Sequence, residues 1–280
     1  MSQEYRGRIA PSPTGFLHLG HAMTFCAAQE RACAAGGKLV LRIEDIDYAR
    51  CRGEFRSAII DDLHWFGVRW DEGPDIGGPY APYVQSERRA FYLQALHQLR
   101  EAGFAYPCTC SRKDVLSAAG APHDENEEPI YPGICRNSRR DDHATSQPNW
   151  RFHVPDGEQL EFEDVRLGTQ EAIAGRDFGD FIIWRRDDVP SYQLAVVVDD
   201  AAMRVTEVVR GEDLGLSTFR QLLLYRALEL APPRFFHTPL LRDATGQRLA
   251  KRNAALTLRA LRAAGKIPAD LRAAALAAIH

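Results

Sequence analysis

The sequence predicts an α/β protein, an open, doubly wound parallel sheet with a smaller α+β subdomain set into it. Three observations carry that reading. Apolar runs of strand length alternate with stretches of helical periodicity in both halves of the chain, as in a sheet wound with crossover helices. The run over residues 38–43 is almost continuously apolar, as a strand covered on both faces is. Between about 105 and 188 this rhythm gives way to short β-like runs around a cysteine cluster, so the second half of the sheet follows an insertion. The 280 residues, 45% of them apolar, suffice for one large core and an appendage.

In chain order, a short apolar strand ends at Ile9. Pro11, Pro13 and Gly15 then forbid both helix and ladder, so the chain must turn. A helix begins near Gly20, whose missing side chain lets another group approach the backbone, and runs through Ala22, Phe25, Cys26 and Gln29. Its free N–H groups and positive dipole end suit an anion. His18 and His21 stand about one turn apart, and both imidazoles can reach phosphate oxygens. The strand over 38–43 leads into Glu44, Asp45 and Asp47, at the carboxyl edge where open α/β sheets bind ligands. Phe55, Ile59, Leu63 and Phe66 recur at helical spacing and stop at Gly67. Ser86 can cap the next helix, with Leu93, Leu96 and Leu99 inward and Gly103 ending it. Residues 1–104 therefore read as the first half of the core.

The insertion, 105–188, carries Cys108 and Cys110, a polar loop over 121–128, then Tyr131 and Cys135. Strands are expected near 150–154, 160–165 and 178–185. The second half of the core, 189–241, resumes with an apolar run over 191–200. A strand over 203–209 leads into Arg210, a helix is capped near Ser217, and a last strand spans 236–241. A basic loop and two short helices, about 256–264 and 269–279, fill 242–280.

A net charge of −3 says little about partners, but its distribution says more. From 234 to 272, Arg234, Arg242, Arg248, Lys251, Arg252, Arg259, Arg262, Lys266 and Arg272 are opposed only by Asp243 and Asp270. Such a stretch could meet a phosphate backbone or form a solvated helical face. No leader precedes Arg8 and no apolar run reaches membrane-spanning length, so a cytoplasmic location is expected. Six cysteines there read as thiols or metal ligands rather than disulfides. Cys108, Cys110 and Cys135 suit a four-ligand structural zinc, with Tyr131, His123 and His143 near enough to be the fourth ligand. Cys26, Cys33 and Cys51 read as packing residues.

Two signatures resemble those of the class I aminoacyl-tRNA synthetases. His18-Leu19-Gly20-His21 resembles the HIGH signature, and the Arg8-to-Gly15 run before it is similar to that of the glutamyl branch. Arg248-Leu249-Ala250-Lys251-Arg252 resembles the KMSKS loop, with Arg248 in place of its first lysine and Ala250 in place of its serine. The run from Arg210 to Leu214 is also similar to the glutamyl branch.

The resemblance implies a Rossmann-type catalytic core that joins L-glutamate to ATP, with Mg2+ accompanying the nucleotide. It implies ATP contacts at His18, Gly20, His21, Arg248 and Lys251, with His18, His21 and Lys251 catalytic. It assigns the glutamate site to Arg8, Ile9, Ala10, Pro11, Ser12, Glu44, Tyr192 and Arg210. The residue types fit, since guanidinium groups bind carboxylates bidentately and Glu44 can take the ammonium. For the zinc it points to Tyr131 as the fourth ligand. No catalytic base is required, because the attacking α-carboxylate is already ionised at neutral pH. The chemistry is positioning and charge stabilisation.

About 28 residues follow Arg252, fewer than the helical anticodon-binding region of a full glutamyl-tRNA synthetase requires. The short chain is similar to the stand-alone glutamyl-Q tRNA(Asp) synthetase family. That resemblance implies tRNA-independent activation and transfer of glutamate to queuosine in the anticodon stem-loop of tRNA(Asp), by a monomer. A truncated glutamyl-tRNA synthetase charging tRNA(Glu), and a catalytically silent RNA-binding module, are the rival expectations.

Overall fold

The computed structural model describes residues 4–119, 130–136, 147–241, 256–277 and 279. β1 (Arg6–Ile9), buried throughout, pairs in parallel with β2 (Lys38–Leu41), and α1 (Leu19–Ala34) makes the crossover. Ala22, Phe25 and Cys26 of this helix face the main core with Ile9, Leu39 and Leu41. Beyond β2, parallel bridges at Val40–Glu72 and Ile43–Val84 continue the sheet.

On its other side β1 adjoins β8 (Glu207–Gly211). Arg6 N donates to Thr206 Oγ1 (2.8 Å), and Thr206 N donates to Arg6 O (2.9 Å). β8 pairs in parallel with β9 (Arg234–Thr238), setting Arg210 opposite His237. The carboxyl ends of β1 and β2 lie together, as do those of β8 and β9. Arg8 Nη1 joins the two pairs by donating to Val209 O (3.2 Å).

The insertion divides its strands between two sheets. Its strands β3 (Ala105–Cys108), β4 (Asn149–Phe152) and β7 (Phe181–Trp184) form an antiparallel sheet, beside α4 (Arg112–Ala119). Its hairpin of β5 (Gln159–Asp164) and β6 (Gly168–Ile173) instead extends the core sheet, β5 pairing in parallel with β9 at Asp164–Phe235. β6 is absent from the expectations above; Gly168-Thr169-Gln170-Glu171 has little apolar signal, and cross-strand pairing makes it a strand.

α2 (Gly53–Phe66) stops at Gly67, whose φ of 87° lies in the left-handed region, and α3 (Arg89–Glu101) is followed by Gly103 at 77°. Ser86 does not cap α3. Its backbone N and its hydroxyl both donate to Asp45 (2.8 Å each), tying the segment ahead of the helix to the strand edge. α5 (Tyr192–Ala202) is capped by Ser191, which accepts from Leu194 N (3.4 Å). α6 (Gly215–Ala227) starts before the expected cap: Ser217 lies inside it and takes a bond from Gln193 Nε2 (3.0 Å). The last strand likewise starts and ends earlier than the sequence pattern suggested.

α7 (Leu258–Ala263) and α8 (Pro268–Ala277) close the chain against the main core through Leu258, Leu261 and Ile279. Part of the basic stretch is spent on this packing. Arg259 Nε lies 3.5 Å from the buried Asp62, and Arg272 donates to Gly67 O. Cys26 is buried as expected of a packing residue, Cys51 is half-buried, and Cys33 is exposed, so it does not pack. No described helix is long and apolar enough to cross a membrane.

Candidate active site

The site is built where the strands end. His18 is the N-cap of α1 in extended conformation, and the rings of His18 and His21 lie edge to face with centroids 6.2 Å apart. The fold does not crowd Gly20. Among the described residues, a Cβ there would meet only Leu241 Cδ1, at 3.8 Å. Leu258 N donates to Leu17 O (2.8 Å), and Thr257 bridges His18. Leu241, just before the segment 242–255, and Thr257, two residues beyond it, therefore both lie against this turn. Arg248 and Lys251 themselves, like His123 and His143, fall outside the described residues.

Behind the turn lies a buried charge network. Arg42, fully enclosed, donates to Asp200 Oδ1 (2.7 Å) and Glu44 Oε1 (2.9 Å) and lies 3.6 Å from Asp199. Arg8 Nε pairs with Asp200 (3.3 Å). Asp199 in turn accepts from Arg88 Nε (2.6 Å), Gln85 Nε2 (2.8 Å) and Tyr92 OH (2.9 Å). Burial pushes the Glu44 carboxyl above its ordinary range despite Arg42 and Arg8. Burial acts on Asp200 too, but Arg42 and Arg8 together outweigh it and hold that carboxyl low. The directly paired ions, Arg8, Arg42 and Arg88 with Glu44, Asp199 and Asp200, balance three to three. Backbone of the same turn is fixed nearby: Ile9 O accepts from Arg42 N and Pro11 O from Glu44 N (3.0 Å each), with Ala10 half-buried and Ser12 exposed.

Arg210 stands outside that balance. It is 4% exposed, yet among the described residues it pairs with no carboxylate. Its partners are neutral: Gln221 Oε1 (2.8 Å), Thr218 Oγ1 (2.7 Å), His237 Nε2 (3.2 Å) and, at 3.5 Å, Tyr192 OH. The two expected carboxylate-binding arginines are thus unlike each other, Arg8 already neutralised and Arg210 not. A buried cation with no carboxylate in direct contact is costly, and an anionic ligand reduces that cost.

Sequence reasoning missed Arg42, Asp199, Asp200, Thr218, Gln221, His237 and Asp164. A weak signal existed. Two carboxylates closing the apolar run at Val196, Val197 and Val198, and an arginine inside the apolar run after Val40, must be paired if buried.

The thiol cluster lies in the insertion. The sulfurs of Cys108, Cys110 and Cys135 are within 4.8 Å of one another, all buried, and could hold a metal ion. Tyr131 OH points into them, 3.4 Å from Cys108 Sγ and 3.5 Å from Cys110 Sγ, and accepts from Cys135 N (2.9 Å). Thiolates about 2.3 Å from a tetrahedral zinc sit about 3.7 Å apart, so the donor set fits after small shifts. Arg151 lies over the Tyr131 ring and donates to Cys108 Sγ (3.2 Å), a cation that favours thiolate. Burial raises the Cys110 thiol to about 11. On Cys135 burial is outweighed by hydrogen bonds from Tyr131 and the Thr109 backbone, which bring it to about 7.

Comparison with known proteins agrees with this architecture. Residues 4–276 match the family of class I tRNA synthetases (E and Q), catalytic domain. A glutamyl-Q tRNA(Asp) synthetase from Nitratidesulfovibrio vulgaris is 51% identical over 269 residues, covering 94% of this chain and 82% of that protein. One from Symbiobacterium thermophilum is 51% identical over 268 residues, with the same coverage. The crystal structure of a glutamate tRNA ligase from Elizabethkingia meningosepticum, in complex with its amino acid, superposes with a TM-score of 0.79 at 30% identity. It is matched over 90% of this chain, which spans 52% of that longer one. The chain belongs to the class I tRNA synthetases of the E and Q group, a family of ATP-dependent ligases, and within it to the glutamyl-Q tRNA(Asp) synthetases.

Proposed function

We propose that this protein activates L-glutamate with ATP as glutamyl-adenylate, needing no tRNA for that step, and transfers the glutamyl group to queuosine in the anticodon of tRNA(Asp). The observation that carries the first half is Arg210, a buried cation held by neutral partners beside Tyr192. In this reading Arg210 takes the side-chain carboxylate of glutamate with help from the Tyr192 hydroxyl. Glu44, held in place by Arg42, takes the ammonium. Arg8, Ser12 and the backbone of Ile9, Ala10 and Pro11 hold the α-carboxylate end.

An α-carboxylate oxygen then attacks the α-phosphorus of ATP, the bond to the β-phosphate oxygen breaks, and pyrophosphate leaves with its Mg2+. His18, His21 and the backbone at Gly20 would hold phosphate oxygens, and Arg248 and Lys251 would stabilise the charge that develops on them. The positions of Leu241 and Thr257 support that role for the segment between them. In the second step a queuosine hydroxyl attacks the adenylate carbonyl, AMP departs and the hydroxyl proton is released. The 51% identity to glutamyl-Q tRNA(Asp) synthetases is what supports queuosine as acceptor.

The reading takes residues 1–104 and 189–241 as the two halves of the catalytic core and 242–280 as nucleotide loop and closing helices. The insertion, 105–188, faces the anticodon stem-loop. Cys108, Cys110, Cys135 and Tyr131 would hold one structural Zn2+, which cross-links the strand end at Cys108 to the Tyr131–Cys135 turn. The protein would act as a cytoplasmic monomer. The test of the first step is ATP–pyrophosphate exchange without RNA. Glutamate should support exchange, glutamine should do so at least roughly tenfold less well because it leaves Arg210 underpaired, and aspartate is too short to reach it. Exchange that requires tRNA, or equal exchange with glutamine, would overturn the assignment.

A further inference from the structure

We infer that His237, backed by Asp164, is the positioning residue that orients Arg210 for its ligand and so sets selectivity for a carboxylate side chain. The inference rests on the reading of Arg210 as the partner of that carboxylate. Arg210 Nε can only donate, and it faces His237 Nε2 at 3.2 Å. His237 Nε2 must therefore carry a lone pair, and the imidazole proton sits on Nδ1. Nδ1 lies 2.6 Å from Asp164 Oδ2, where only a proton between them makes a bond. All three side chains are buried, His237 completely. Asp164 is itself fixed, accepting from the backbone N of Arg166 (3.0 Å), Leu167 (2.9 Å) and His237 (3.1 Å). Burial and the neighbouring Arg210 lower the basicity of His237, in keeping with a neutral ring.

The chain from Asp164 through His237 to Arg210 solves a specific problem. A carboxylate placed directly on Arg210 would orient it but also neutralise it, as Asp200 does for Arg8. An interposed imidazole passes on the orientation while keeping the anion one ring away. Of the five guanidinium protons, three are used at 2.7–3.2 Å by Gln221, Thr218 and His237. Two remain, on the terminal nitrogens, one of them facing Tyr192 OH at 3.5 Å. The anchor at Nε thus selects which protons are presented. The relay also explains why the β5–β6 hairpin is joined to β9: the pairing at Asp164–Phe235 puts the carboxylate behind the imidazole.

Two variants separate the two ends of the imidazole. His237→Asn keeps a donor toward Asp164 and loses the acceptor for Arg210, whereas His237→Gln reaches far enough for its Oε1 to accept from Arg210. In glutamate-dependent ATP–pyrophosphate exchange, His237→Asn should raise the KM for glutamate roughly tenfold or more and cut the preference over glutamine. The KM for ATP should stay where it is, and His237→Gln should recover most of the loss. Equal defects in both variants, or a defect shared with the KM for ATP, would mean a merely structural role and overturn the inference. Arg210→Ala is the control on the underlying reading. If it leaves the KM for glutamate unchanged, that reading fails; if it raises KM while His237→Asn does not, only the relay fails. The wild-type protein offers a check independent of folding, since 15N shifts of His237 should report the Nδ1–H tautomer from pH 6 to 8. An Nε2–H tautomer or an imidazolium ring in that range would contradict the inference.

Discussion

Replacing Arg42 by methionine tests whether the buried charge network holds the glutamate site together. Arg42 is fully enclosed and bonds two carboxylates, Asp200 at 2.7 Å and Glu44 at 2.9 Å, with Asp199 at 3.6 Å. Among the described residues it is the only hydrogen-bond partner of the Glu44 carboxylate. Arg42→Met keeps the apolar stem but leaves that charge unpaired. Breaking a buried pair by removing one partner costs about 3–5 kcal/mol. In a domain of this size each kcal/mol is worth about 2–4 °C, so thermal unfolding at pH 7.5 should begin roughly 6–20 °C lower.

The loss should shrink as the pH falls. In the wild type Asp200 is held below its ordinary range, so its contribution is complete above about pH 4 and fades only as the pH drops through its folded value. Glu44 is already raised by burial in the wild type and rises further without Arg42, and Asp200 then titrates above its unfolded value as well. They take up protons as the pH approaches 5, and the gap to wild type narrows. Circular dichroism melts at pH 7.5 and 5 read this directly, and the KM for glutamate should rise at pH 7.5 because Glu44 is no longer held in place by Arg42. A shift below about 2 °C, or a gap that widens at pH 5, would refute the reasoning.

Two further outcomes are expected. Lys251→Ala should lower glutamate-dependent pyrophosphate exchange by about 10²–10³-fold while leaving glutamate binding by calorimetry nearly unchanged, since it removes a donor to charge that develops only in the transition state. The purified protein should carry one zinc per chain, and chelation or Cys108→Ser should loosen the insertion while the core sheet survives, as read by amide hydrogen exchange. Zinc near zero with three freely titratable thiols would remove the metal from the account.

What was legible in the sequence was whatever local chemistry dictates. The proline and glycine frame before His18 and the helix stop at Gly67 follow from single-residue conformational limits. The thiol trio could be named because few residue types carry that chemistry, whereas Tyr131 came only from the family resemblance, since chemistry alone favours a histidine; the structure brings those four side chains together. What escaped depends on distant partners. Ser86 looks like a cap until Asp45 is placed beside it. Arg8 and Arg210 look equivalent until Asp200 falls against one and His237 against the other. The Asp164–His237 contact joins two β-runs 73 residues apart that no local pattern pairs.

The central claim, transfer of glutamate to queuosine in an anticodon, is tested most directly by offering three RNAs to enzyme preloaded with labelled glutamyl-adenylate. They are tRNA(Glu), tRNA(Asp) carrying queuosine, and an isolated tRNA(Asp) anticodon stem-loop carrying queuosine. Label should pass to the second and third and not to the first. Charging of tRNA(Glu) at its 3′ end, or an inert stem-loop, would contradict the account and leave an ordinary glutamyl-tRNA synthetase in its place.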